Sequence, residues 1–138
     1  MKSNPKYILL INIHGLIRGH GLELGRDADT GGQTKYVLEF AKTLSQRPDV
    51  EQVDLMTRRI DDPQVSGDYN KIIEPLNSTA RIVRIDCGPK EYLPKENLWD
   101  YLDNFVDNAL IFLKEQNNLP GIIHAHYADA GYVGTRLC

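Results

Sequence analysis

The sequence predicts an α/β fold, a mostly parallel β-sheet with flanking helices. Three observations predict it. A near-continuous apolar run, Tyr7 to Ile13, stands near the start of the chain. Runs of that kind suit strands buried on both faces of a parallel sheet. Two later stretches repeat their apolar residues at helical spacing. Strand-like and helix-like stretches then alternate in roughly 30-residue units, the rhythm of βαβ connections.

The first strand is the run Tyr7-Ile8-Leu9-Leu10-Ile11-Asn12-Ile13. His14 to Asp29 follows with four glycines and mixed charges, which reads as a long loop. Long loops in compact domains are often functional. From Gly32 the period changes: Val37, Phe40, Ala41 and Leu44 mark one face of a helix. Asp29 or Thr30 is placed to cap it, and Pro48 and Asp49 end it. Val53 to Thr57 reads as a second strand. Arg58 to Thr79 is polar, with Pro63, Gly67 and Pro75, and reads as a loop with room for one short strand. Arg81-Ile82-Val83-Arg84-Ile85 alternates charged and apolar residues, a third strand broken by Cys87-Gly88-Pro89. Leu98, Leu102, Phe105, Val106, Ala109, Leu110 and Leu113 mark a second helix, expected to start near Pro94 or Lys95. Gly121 to His126 is a fourth strand, and a further helix is expected from Ala130.

The layout is Rossmann-like. Residues 1–138 read as one domain. The dinucleotide fingerprint G-x-G-x-x-G is absent from the first turn, so a nicotinamide cofactor has no support. A formal charge of -3 offers no basic excess for general nucleic-acid binding. No run approaches the roughly 20 apolar residues that span a bilayer. Cys87 and Cys138 form no metal or redox spacing. A cytoplasmic protein is the expectation, with no membrane partner.

Ligands of open α/β sheets bind beyond the carboxyl ends of the strands. Three unusual stretches fall there. The first is Gly31-Gly32-Gln33, where a helix begins and backbone N–H groups lie uncovered. It suits a hydroxyl-rich or phosphorylated ligand, and equally a glycine linker needing positive φ. The second is Thr57-Arg58-Arg59, which reads better as surface pairing with Asp61 and Asp62 than as an anion grip. The third is His124-Ala125-His126-Tyr127-Ala128-Asp129. His124 and His126 share a strand face, but no third ligand of fitting spacing follows, so zinc is not expected. A histidine near a sugar hydroxyl fits better, although each histidine alone reads more simply as a buried, hydrogen-bonded one. Lys95, at an expected helix start where a cation is disfavoured, is a modest candidate for a bound phosphate.

These stretches also carry a resemblance. His14-Gly15-Leu16-Ile17-Arg18-Gly19, Leu22 through Val37, Asp54 through Arg59, Ile82 through Ile85, Tyr92 through Trp99 and His124 through Gly131 closely resemble the N-terminal part of sucrose-phosphate synthases. Gly-Gly-Gln alone also occurs in sucrose synthases; the Leu-Ile-Arg-Gly and Leu-Pro-Lys-Glu segments make the phosphate-using family the closer match. The resemblance implies part of the N-terminal, acceptor-side domain of a retaining GT-B glycosyltransferase. Such enzymes move glucose from UDP-glucose, the co-substrate, to fructose 6-phosphate, giving sucrose 6-phosphate and UDP. By motif, Gly32 and Gln33 would face the reacting sugars, with Gly31 shaping the turn. Lys95 would meet the acceptor phosphate, and His126, Tyr127 and Asp129 would lie near the acceptor hydroxyls.

No tightly bound cofactor or metal site is implied, and stimulation by magnesium is left open. The domain is expected to be incomplete at its C-terminal end, and the nucleotide-sugar domain to lie outside these residues. The chain alone is therefore expected to be inactive. A sucrose synthase, another GT-B transferase and a non-catalytic sugar-phosphate binding module are the alternatives.

Overall fold

A computed structural model describes residues 2–138. Five strands form one sheet in the order β3-β4-β2-β1-β5. They are β1 (Ser3–Ile11), β2 (Gln52–Arg58), β3 (Ile73–Pro75), β4 (Ala80–Ile85) and β5 (Leu119–Ala125). β1, β2, β4 and β5 are parallel, and short β3 pairs antiparallel to β4 at the edge. The apolar run of β1 is central, and Leu9, Leu10 and Ile11 are fully buried.

Helices cover both faces. α1 (Gly32–Ser45) lays Val37, Leu38 and Ala41 on Ile8, Leu10, Val53, Leu55 and Ile82. α2 (Leu102–Glu115) and α3 (Tyr127–Leu137) cover the other face. There Phe105, Ala109 and Val133 pack on Leu9, Ile11, Met56 and Val83. No helix among the described residues is long and apolar enough to cross a membrane.

Three local expectations are corrected. The second helix begins at Leu102, because Lys95–Asn97 and Trp99–Tyr101 are separate 3-10 turns. The segment is held out of helical register by the Lys95 amide, which donates to Asp29 across the domain at 2.6 Å. The last helix starts at Tyr127 rather than Ala130. Neither Asp29 nor Thr30 caps α1; its N-cap is Gly31, with no side-chain cap bond. Asp29 instead faces Lys95, and Thr30 donates to Asp27.

The third expected strand is β4, and its charged residue Arg84 lies inside the fold. Arg84 is 2% exposed and donates to Ile17 O and Glu74 Oε1, each at 2.8 Å.

Candidate functional site

The strand order places β2 on one side of β1 and β5 on the other. The loops that leave β1 and β5 therefore diverge to opposite faces, which opens a crevice at their carboxyl ends. Residues 12–31 leave β1 there, and α3 leaves β5.

Two buried groups meet in that crevice. His14 Nδ1 lies 2.8 Å from Asp129 Oδ2, and each residue is 4% exposed. Asp129 Oδ1 accepts from its neighbour Ala130 N at 2.8 Å, so both carboxylate oxygens are engaged. A carboxylate at Nδ1 favours the proton there and leaves Nε2 with a lone pair in the neutral ring. Tyr127 packs edge-on to His14, with ring centroids 5.0 Å apart. Its φ is +70°, an uncommon backbone for an aromatic residue and a strain that clusters at functional sites.

A second group holds Lys95. Asp29, 4% exposed, accepts the Lys95 amide at 2.6 Å, and its other oxygen lies 4.0 Å from Lys95 Nζ. Asp27 accepts from Asp29 N at 2.9 Å and from the Tyr92 hydroxyl at 2.8 Å, which ties the 23–30 loop to the 87–95 segment. Burial first, with the Asp27 carboxylate adding to it, holds the Tyr92 phenol well above its ordinary range.

Arg58 fixes the same segment from beneath. Its guanidinium donates to Cys87 O at 2.9 Å, to Glu91 O at 2.7 Å and to Pro89 O. Burial lowers its pKa. Surface pairing of these arginines with Asp61 and Asp62 does not occur. Arg59 donates to Asn70, with Asp86 at 3.4 Å, while Asp62 accepts Tyr92 N.

His14, Lys95, Glu96, Trp99, Tyr127 and Asp129 line one pocket of about 220 Å³. A groove of about 810 Å³ beside β5 is larger but is lined mainly by aliphatic side chains, among them Leu110, Leu113, Leu119 and Ile123. The smaller pocket is the better candidate, because charged and oriented polar groups converge on it.

Of the residues singled out from sequence, Lys95, Tyr127 and Asp129 are thus brought together. Asp129 is spent on His14 and on its own helix. Gly31 is the N-cap of α1 and Gly32 its first residue, with no side-chain cap bond at the helix start. Gln33 lies at the same turn, where its Nε2 donates back to Asp29 O. His126 is apart from this group. Its ring packs with Tyr36, Phe40 and His124 on the α1 face, and neither ring nitrogen has a hydrogen-bond partner. Burial first, and then His124, lower its pKa. Among the described residues no group of three or more metal-ligand side chains gathers.

Sequence reasoning missed His14, Asp29 and Asp27. His14 carried a usable signal: a histidine beside glycine where the first strand gives way to a long loop. Asp29 and Asp27 carried none beyond lying in a functional-looking loop, because their partners are 66 and 65 residues away.

No family model matches the chain. It is 45% identical over 161 aligned positions to a probable sucrose-phosphate synthase 1 of Oryza sativa subsp. indica, covering 99% of this chain and 15% of that protein. The sucrose-phosphate synthase of Zea mays is 44% identical over 99% of this chain and 15% of its own length. Sucrose-phosphate synthase 1 of Arabidopsis thaliana is 43% identical over 94% of this chain and 15% of its own. A solved sucrose-phosphate synthase from Thermosynechococcus elongatus matches with a TM-score of 0.76 at 27% identity, over 96% of this chain and 30% of that one. The chain spans about 15% of the length of the curated relatives it matches. Over nearly all of its own length, the chain is homologous to one part of the sucrose-phosphate synthases.

Proposed function

We propose that this chain forms the acceptor-side wall of a retaining glycosyltransferase site. The transferase would pass glucose from UDP-glucose to fructose 6-phosphate, releasing UDP and sucrose 6-phosphate. The observation that carries this reading is the pocket in which Lys95, half-exposed, stands across from the His14–Asp129 pair. Those groups fit the two ends of a sugar phosphate. The ammonium is a point charge for the phosphate. The Asp129-oriented His14 offers Nε2 to a sugar hydroxyl, while the exposed Tyr127 ring borders the sugar.

In this role the chain binds and orients; it aligns an acceptor hydroxyl for attack at the anomeric carbon. Gly32 and Gln33 stand at the helix start where the reacting ends of the sugars would meet. Stabilising the departing diphosphate falls to groups outside these residues, so the chain alone is expected to bind the acceptor without turnover.

Calorimetric titration of the chain tests this. Fructose 6-phosphate is expected to bind, free fructose at least about tenfold more weakly, and Lys95→Gln to erase that preference; a tenfold difference is about 1.4 kcal/mol. Equal binding of fructose and fructose 6-phosphate by the unaltered chain would remove the phosphate reading and favour a sucrose synthase-like acceptor site.

A further inference from the structure

We propose that Asp29 is a positioning residue that sets phosphate affinity, by holding Lys95 at both ends and competing for its ammonium. The inference rests on the reading of Lys95 as the phosphate ligand and goes beyond it.

Asp29 is buried, and among the described residues Lys95 is its only cationic partner. One carboxylate oxygen takes the Lys95 amide at 2.6 Å; the other lies 4.0 Å from the ammonium. Asp29 is anchored through its backbone. Its own amide is bound to Asp27, its carbonyl takes Gln33 Nε2, and Gly15 packs against that carbonyl. Lys95 is half-exposed and free to reach outward.

Leaving a buried carboxylate without its cation is costly. An arriving phosphate must therefore share the ammonium with Asp29 rather than capture it. Asp29 directs Lys95 into the pocket and, by its negative charge, weakens the grip that Lys95 exerts. That opposition grows with the charge of the anion, so Asp29 narrows the margin by which a doubly charged phosphate outbinds a singly charged one. It also keeps product release from being slowed by an over-tight anion site.

The decisive variant is Asp29→Asn. The side-chain carbonyl of asparagine still accepts the Lys95 amide, while the competing charge is gone. In the full chain, with circular dichroism showing the fold retained, inorganic phosphate and fructose 6-phosphate are expected to bind about three- to tenfold more tightly. Fructose affinity is expected not to change. The Lys95 side-chain ammonium resonance, followed by NMR without ligand, is expected to shift in the same variant.

Phosphate binding that is unchanged or weaker in Asp29→Asn would overturn the proposal, as would an unmoved Lys95 resonance. Lys95→Gln separates the two ideas. If it leaves fructose 6-phosphate binding intact, the phosphate reading of Lys95 fails. If it abolishes the phosphate preference while Asp29→Asn changes nothing, only the role of Asp29 fails.

Discussion

The two ends of the sheet treat a buried carboxylate in opposite ways. Near the amino ends of the strands, Asp54 is fully enclosed. It accepts from Arg81 at 2.8 and 3.1 Å, from the Tyr7 hydroxyl at 2.6 Å and from Gln52 at 3.1 Å. Gln116 closes the ring, accepting from Arg81 at 2.7 Å and donating to Tyr7 at 3.0 Å. Burial first, and then Asp54, push the Tyr7 phenol far above its usual range. At the carboxyl ends, Asp29 has one amide at 2.6 Å and an ammonium at 4.0 Å. A saturated network gives the fold rigidity, and Asp54 itself is closed off from any ligand. The unsaturated one keeps a cation and a buried charge in reserve, which is what a binding site needs.

The largest effect expected from this contrast is on stability. Asp54→Ala strands Arg81 and two other donors, and should cost about 3 kcal/mol, the low end for breaking a buried pair because Arg81 is partly exposed. Asp29→Ala loses one charge-assisted bond, to the amide of the half-exposed Lys95, and should cost about 1.5 kcal/mol. Urea unfolding of both variants measures the difference. Equal costs would break the distinction between the two ends.

The glycines of the site sharpen the same contrast. Gly15 has φ +86°, and a Cβ there would stand 2.5 Å from Asp29 O. Gly15→Ala should therefore cost about 2 kcal/mol through strain and displacement of Asp29, and weaken phosphate binding with it. Gly32 is different: its φ is not positive and nothing lies within 4 Å of the Cβ position. Gly32→Ala should leave stability unchanged or raise it by up to about 1 kcal/mol, through helix propensity. If Gly32 is bare because a sugar approaches it, the same variant should still lower fructose 6-phosphate affinity, by about tenfold. Thermal unfolding and calorimetry on the two variants read both quantities; unaltered affinity in Gly32→Ala would take that residue out of the site.

Much of the fold could be read from the sequence, because it is written in local periodicity. The apolar run of β1 and the helical spacing of Val37, Phe40, Ala41 and Leu44 require no knowledge of distant partners. The start of α2 could not be read, because the tie of Lys95 to Asp29 spans 66 residues. The burial of Arg84 could not be read either, because one of its partners, Ile17 O, lies 67 residues away. At the site, glycine and lysine announced themselves by residue type and place. The division of labour did not. Asp129, in the first turn of α3, serves His14, whereas His126, at the end of β5, points with His124 to the α1 face.

The smallest expected effect concerns those two histidines. His14 has a carboxylate partner at 2.8 Å, whereas both ring nitrogens of His126 are buried without one. Burial lowers the His126 pKa, and His124 adds to it. The unfolded chain then binds a proton near pH 6.5 that the folded chain does not, so folding stability falls as pH drops below about 6.5. The urea midpoint should be lower near about pH 5.5 than near about pH 7.5, and His126→Phe should shrink that difference, because phenylalanine fills the Tyr36–Phe40 niche without titrating. A difference that persists unchanged in His126→Phe would place the acid sensitivity elsewhere. It would also mean that His126 meets water or a hydrogen-bond partner in solution, which would return it to the list of groups able to face a ligand.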